Sequence, residues 1–101
     1  MINKTLKYNY WVYINASGKN GTLYIGVTNN LKNRAWQHKQ GALDGFSKKY
    51  KVDKLVHYEY YSDINAALIR EKQLRFWKRK WKIELIEKAN PGWKDLYNEL
   101  F

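Results

Sequence analysis

Hydrophobic and polar positions change their period several times along this chain, and those changes delimit its elements. Residues 8–14 (YNYWVYI) are aromatic and β-branched, which favours a strand. Residues 15–21 (NASGKNG) are dense in turn formers, and residues 22–27 (TLYIGV) read as a second strand, so the two predict a hairpin. With the turn centred between Gly18 and Lys19, Tyr13 lies opposite Tyr24, Val12 opposite Ile25 and Ile14 opposite Leu23. Alternation then places Tyr13 and Tyr24 on one face and the aliphatic pairs on the other. A slip of one residue would reverse the faces.

The period then becomes helical. Thr28, Asn29 and Asn30 offer N-caps for a helix to about residue 40, closed by Gly41. Leu31, Arg34, Ala35 and His38 share one of its faces. A basic loop follows to Asp53, and residues 55–61 (LVHYEYY) read as a third strand. Ser62 or Asp63 caps a second helix, from residue 64 to about 78, whose inward stripe is Ile64, Ala67, Leu68, Glu71 and Leu74. Residues 81–89 read as a third helix, stopped by Asn90-Pro91-Gly92, with a short last helix over 93–100. The order β-β-α-β-α-α, with that short C-terminal helix, predicts a small α+β domain: a three-stranded antiparallel sheet with helices packed on it. No repeat or linker divides the 101 residues, so one domain is expected, with its core over about 9–89.

Two of these stripes carry charge where apolar residues belong. Arg34 and His38 sit beside Leu31 and Ala35, and Glu71 lies between Leu68 and Leu74. An unpaired buried charge costs roughly several kcal/mol, so each placement needs a cause. One cause is an internal Arg34–Glu71 salt bridge. The other is a cleft that holds a cation, an imidazole, a carboxylate and two phenols.

Composition narrows the partner. The formal charge is +10, while a 45% hydrophobic fraction separates the chain from a disordered basic tail. The charge is central: residues 32–54 and 70–84 are each strongly basic, and the segment from Ile83 to the end is mildly acidic. A polyanion fits this distribution, because cations gain affinity by releasing counterions from phosphates. The absence of cysteine removes disulfides, thiolate zinc sites and cysteine nucleophiles. No stretch is long and apolar enough to span a membrane, and residues 1–10 lack the apolar block of a signal peptide, so a cytoplasmic location is expected.

The spelling of the chain is more specific. Trp11-Val12-Tyr13, a ten-residue gap, then Tyr24-Ile25-Gly26, Leu31, Arg34, His38 and a helical Glu71 resemble the GIY-YIG nuclease family. The stretches LYIGVTNNLKNRAWQHK, GFSKKY, LVHYEYY and REKQLRFWKRKWKIELIEKANPGW are similar to its small stand-alone bacterial members. In the first triplet only the tyrosine is kept, with Trp11 and Val12 standing where the family has Gly and Ile. The wider family carries an asparagine after its glutamate; Asn90 stands far from Glu71 in a helix stop and is not assigned to that place.

The resemblance implies metal-dependent hydrolysis of nucleic-acid phosphodiesters, with DNA preferred over RNA. It implies a catalytic set of Tyr13, Tyr24, Arg34, His38 and Glu71. Glu71 would ligate Mg²⁺, or Mn²⁺ in its place, since one carboxylate suffices for an ion that keeps several waters. Arg34 offers a planar fork for phosphate oxygens. A phenol is mostly protonated at neutral pH, so Tyr13 as base needs nearby positive charge, and His38 could relay the proton or be the base itself. Tyr24 would orient water or phosphate. Lys48, Lys49, Lys51, Arg75, Lys78, Arg79 and Lys80 would follow the backbone of the nucleic acid, with Phe46, Tyr50 or Trp77 available for stacking. The alternative is a non-catalytic binding module that keeps fold and basic surface, or a recruitment domain that needs a partner to present substrate. No membrane and no particular protein partner is indicated.

Overall fold

The computed structural model describes residues 8–41 and 45–101. They form β1 (Tyr10–Ala16), β2 (Leu23–Thr28), α1 (Leu31–Lys39), α2 (Gly45–Tyr50), β3 (Lys54–Tyr61), α3 (Ile64–Phe76), α4 (Arg79–Ala89) and a closing 3-10 turn (Leu96–Leu100). The strands make one antiparallel sheet in the order β2-β1-β3, with helices packed on it, as the pattern predicts. The basic loop departs from expectation: it contains the short helix α2. The last helix is the 3-10 turn.

The hairpin keeps its expected faces but not its expected partners. Tyr13 lies opposite Gly26, Ile14 opposite Ile25 and Asn15 opposite Tyr24, a register displaced by two residues. Asn15 and Ala16 belong to β1 rather than to the turn. The tip closes later because Ser17 clamps Thr22: its N–H donates to the Thr22 carbonyl at 3.0 Å, and its Oγ accepts from the Thr22 N–H at 2.9 Å. Gly21 N–H donates to the Gly18 carbonyl at 3.0 Å, with Asn20 in the left-handed region at φ 58°. Strands alternate with period two, so a shift of two leaves every side chain on its face.

Each face is covered by its own helices. Val12, Ile14, Ala16, Ile25 and Val56 pack against Ala67, Leu74, Ile86 and Trp93, carried by α3, α4 and the turn after them. On the other face Tyr13 and Leu55 meet Leu31 and Ala35 of α1, with Leu96, Tyr97 and Leu100 beside them. Fully burying a residue such as Ile14 or Leu74 contributes roughly 1.5–3 kcal/mol, so these two clusters supply the main drive to fold. Asn30 caps α1, its Oδ1 accepting from Asn33 N–H at 3.1 Å, while Thr28 Oγ1 accepts from Asn30 N–H at 3.0 Å. Gly41 ends the helix at φ 63°. Asp63, not Ser62, caps α3 through the Ala66 N–H.

The stripe expected to be buried on α3 is only half correct. Ala67 and Leu74 are fully buried, but Ile64 and Leu68 are 37% and 45% exposed. Ile64, Leu68, Glu71 and Arg75 recur at helical spacing and lie toward β2, the edge of the sheet, where there is less to cover them. Opposite that edge, Glu59 of β3 is bound by Arg70 of α3 through two hydrogen bonds of 2.9 and 3.0 Å. His57 Nε2 at 2.8 Å and the Tyr61 hydroxyl at 2.9 Å complete its shell. Burial works to raise the Glu59 pKa, but hydrogen bonds from His57, Arg70 and Tyr61 prevail and lower it to about 2.

Asn90 has a structural task. Its Nδ2 donates to the Val56 carbonyl at 3.1 Å and the Lys94 carbonyl at 2.9 Å, and its Oδ1 accepts from Lys94 N–H at 2.9 Å. The buried side chain thereby ties the end of α4 and the following turn to β3.

Candidate active site

Both faces of the sheet contribute to the candidate site, which gathers along the edge strand β2. From β1, the Tyr13 ring lies across Gly26: a Cβ at position 26 would stand 2.6 Å from Tyr13 Oη and 2.7 Å from Cζ. Glycine is required there because the phenol occupies the space of its side chain. Tyr13 Oη is hydrogen-bonded to His38 Nε2 at 2.9 Å, and the two residues are only 1% and 2% exposed. The partly exposed Tyr24 completes the cluster, with ring centroids 4.9 Å from His38 and 6.2 Å from Tyr13. The three rings that the sequence singles out lie together. The need for glycine at position 26 shows only in the observed register, which sets it opposite Tyr13.

Arg34 and Glu71 flank the same strand from different helices. Arg34, half-buried on α1, lines a recess with Val27, Thr28 and Ile64. Glu71, on α3, does not pair with it. The expected internal Arg34–Glu71 bridge is absent among the described residues, and Glu71 instead pairs with Arg75 one turn further along α3. That partner is legible in the sequence as an i, i+4 spacing. Arg75 Nη2 also donates to the Ile25 carbonyl at 3.1 Å, so one guanidinium ties the carboxylate to the edge of β2. Beside it, Tyr24, Arg75 and Lys82 line a second recess. Lys82 donates to the Arg75 carbonyl at 3.1 Å, and burial followed by repulsion from Arg79 and Arg75 lowers its pKa. Lys82 is not among the expected site residues; its signal is its i, i+3 spacing from Arg79 on α4.

The expected backbone-tracking cations divide by what they touch. Lys48 and Lys49 are exposed on α2, Lys51 is exposed just after it, and Lys80 is exposed on α4. Lys78 lies 5.6 Å from the centroid of the Trp81 ring. Arg79 is committed to the hairpin, donating to the Asn20 carbonyl at 2.8 Å and to that of Gly21 at 2.6 Å. Of the expected stacking residues, Tyr50 is exposed and Trp77 is half-buried against the core, while the Phe46 side chain lies outside the described residues.

Two phenols and an imidazole gather on one face of the sheet, and a cation and a carboxylate border the same edge strand. The family model described as the GIY-YIG catalytic domain matches residues 9–84, and the chain belongs to that family. Membership implies a nuclease-type hydrolase whose substrate, in general terms, is nucleic acid. Its relatives include the UPF0213 protein of Syntrophus aciditrophicus, 36% identical over 84 residues covering 82% of this chain and 93% of that one. A UPF0213 protein of Clostridium perfringens is 33% identical over 76 residues, 75% of this chain and 81% of the relative. Among solved structures, the solution NMR structure of a UPF0213 protein from Bacillus halodurans shares the fold. Its TM-score is 0.54 at 22% identity, covering 86% of this chain and 92% of that one. No helix among the described residues is long and apolar enough to cross a membrane.

Proposed function

We propose that this domain is a metal-dependent endonuclease that hydrolyses phosphodiester bonds of DNA. The observation that carries the reading is the buried Tyr13–His38 hydrogen bond with Tyr24 against the imidazole, beside an edge strand that Arg34 and the Glu71–Arg75 pair also border. Buried phenol–imidazole pairs held this tightly are suited to moving a proton.

The donor set fits a hard divalent ion that is weakly held. Among the described residues no three His, Cys, Asp or Glu side chains form a group that could bind a metal by themselves. Glu71 would supply the one protein ligand, with water and phosphate oxygens supplying the rest, as Mg²⁺ tolerates. When bound, the ion would neutralise charge on the phosphate and acidify water. Glu71 must first leave Arg75, whose Nε can then meet phosphate while Nη2 stays on the Ile25 carbonyl.

The chain's own residues account for the remaining roles. Arg34 has no ion pair among the described residues, and its fork is available to two non-bridging phosphate oxygens. Tyr24, the more exposed phenol, orients the attacking water. Tyr13 takes the proton from that water and shares it with His38 across the 2.9 Å bond. Water oxygen bonds to phosphorus as one bridging P–O bond breaks, and the leaving oxygen takes a proton from solvent water, giving a phosphate monoester and a hydroxyl. Lys48, Lys49, Lys51, Lys78 and Lys80 draw the strand toward this edge.

Labelled single-stranded, duplex, flap and junction DNAs, with an RNA counterpart, incubated with Mg²⁺ or Mn²⁺ test the reading. Glu71→Ala and Tyr13→Phe are expected to abolish cleavage while leaving binding nearly intact. Equal cleavage by the wild type and both variants overturns the assignment, and binding without cleavage by the wild type leaves only a binding module.

A further inference from the structure

The first of the two positions at which this chain departs from the family's first triplet, Trp11, opens onto a groove that the catalytic reading does not use. Trp11 pairs with Thr28 on one side and Tyr60 on the other, on the same face of the sheet as Tyr13. It lines a groove of about 480 Å³ together with Asn9, Asn29, Lys32 and Leu100. The lining is prepared rather than random. Tyr60 meets the indole edge-on at 5.7 Å and 65°, which fixes the plane of the ring. The Tyr60 hydroxyl donates to Asn9 Oδ1 at 2.7 Å, which fixes the Asn9 carboxamide at the rim. Lys32 Nζ sits 3.9 Å over the Phe101 ring, held at the other rim.

An aromatic wall, carboxamides and a lysine, with no acidic residue among the described residues that line the groove, select a planar ligand that has hydrogen-bonding edges and a negative neighbour. The groove also adjoins the candidate active site: Asn29 lines both it and the recess of Arg34. We propose that this groove is a nucleobase subsite, in which an unpaired base stacks on Trp11 while the adjoining phosphate lies toward Arg34. The carboxamides of Asn9 and Asn29 meet the base edge, and Lys32 meets the next phosphate. This rests on the phosphodiesterase reading for its neighbour at Arg34, and it adds that the nucleotide beside the scissile bond must be unpaired to enter. Glycine at position 11 would leave no indole on which to stack.

Binding measured without cleavage tests it. The full-length Glu71→Ala chain is titrated, by fluorescence anisotropy, into a labelled single strand of about a dozen nucleotides, a length typical of such sites. Abasic nucleotides are placed at successive positions. One abasic position is expected to weaken binding about 5- to 100-fold, the range for loss of one aromatic stack. Adding Trp11→Ala is expected to weaken the intact strand by a similar factor and to remove the abasic penalty. Trp11→Phe restores most of the affinity, and Asn29→Ala, an exposed position, weakens it by a smaller factor. A flat abasic scan overturns the subsite, and so does an abasic penalty that persists in Trp11→Ala. The abasic scan needs no substitution at Trp11, so it decides even if Trp11→Ala fails to fold. Binding through Trp11 by a wild type that cuts nothing with Mg²⁺ or Mn²⁺ supports the subsite and defeats the phosphodiesterase reading. Cleavage indifferent to both Trp11→Ala and abasic sites does the reverse.

Discussion

Replacing Gly26 with alanine should damage the protein through one ring. Gly26 lies in a strand with no left-handed backbone, so the cost comes from space rather than from φ. The added Cβ would meet Tyr13 Oη at 2.6 Å, Cζ at 2.7 Å and Cε1 at 2.9 Å. Comfortable carbon contacts need about 3.5–4.0 Å, so the phenol must retreat by about 1 Å. It has nowhere to go at no cost, since Tyr13 is buried and bonded to His38 at 2.9 Å. Overpacking of this kind costs about 1–3 kcal/mol, and a displaced phenol leaves a buried hydrogen-bond group unsatisfied for about another 1–3 kcal/mol. For a domain of this size each kcal/mol lowers Tm by about 4–8 °C, so Gly26→Ala should melt at least about 5 °C below wild type and up to several times that. Circular dichroism melts measure the loss. Cleavage assayed well below the lower Tm should fall as well, because the same displacement misplaces Tyr13. In a Tyr13→Phe background, which lacks the nearest hydroxyl oxygen, the alanine should cost less. A variant that melts with wild type, or the same cost in both backgrounds, refutes the placement of the phenol over Gly26.

Three further outcomes follow from interactions elsewhere. Asn90→Ala removes three hydrogen bonds between α4, the turn and β3, and should destabilise by roughly 2–4 kcal/mol in urea melts while leaving cleavage per folded molecule unchanged. The Glu59 pKa is lower folded than unfolded, so its stabilisation is complete above about 4.5 and is lost as pH falls toward about 2. Melts across that window should show a decline that Glu59→Gln flattens. Lys48→Ala with Lys49→Ala should reduce the log–log salt slope of DNA binding by roughly 0.9 for each phosphate that is no longer neutralised, and an unchanged slope removes α2 from the binding surface.

How much of the fold can be read from the chain depends on how local each property is. The faces of β1 and β2 are legible although the register is not, because alternation needs only adjacent residues and the register depends on how Ser17 clamps Thr22. The helical face shared by Arg34 and His38 is legible for the same reason. The α2 turn within the basic loop is not, since Gly45–Tyr50 has little apolar periodicity to announce it. Ile64 and Leu68 match a core stripe by spacing, yet they lie exposed because only Ala67 and Leu74 of α3 face the middle of the sheet, while Ile64 and Leu68 fall on the helix flank.

By itself the sequence determined the element types, the sidedness of Tyr13 and Tyr24, the misplaced charges of Arg34 and Glu71, and the family spelling that joins them. Those are properties of short windows, set by strand and helix periods and by backbone sterics. Only the tertiary structure decided which partner each charge takes. Glu71 stays with its i, i+4 neighbour Arg75 instead of reaching Arg34, Arg79 holds the hairpin, and Asn90 ties α4 to β3. It also decided why position 26 is glycine and what Trp11 borders. Such choices turn on distances of a few ångströms between residues far apart in the chain, and hydrogen bonds and close packing are selective over that range.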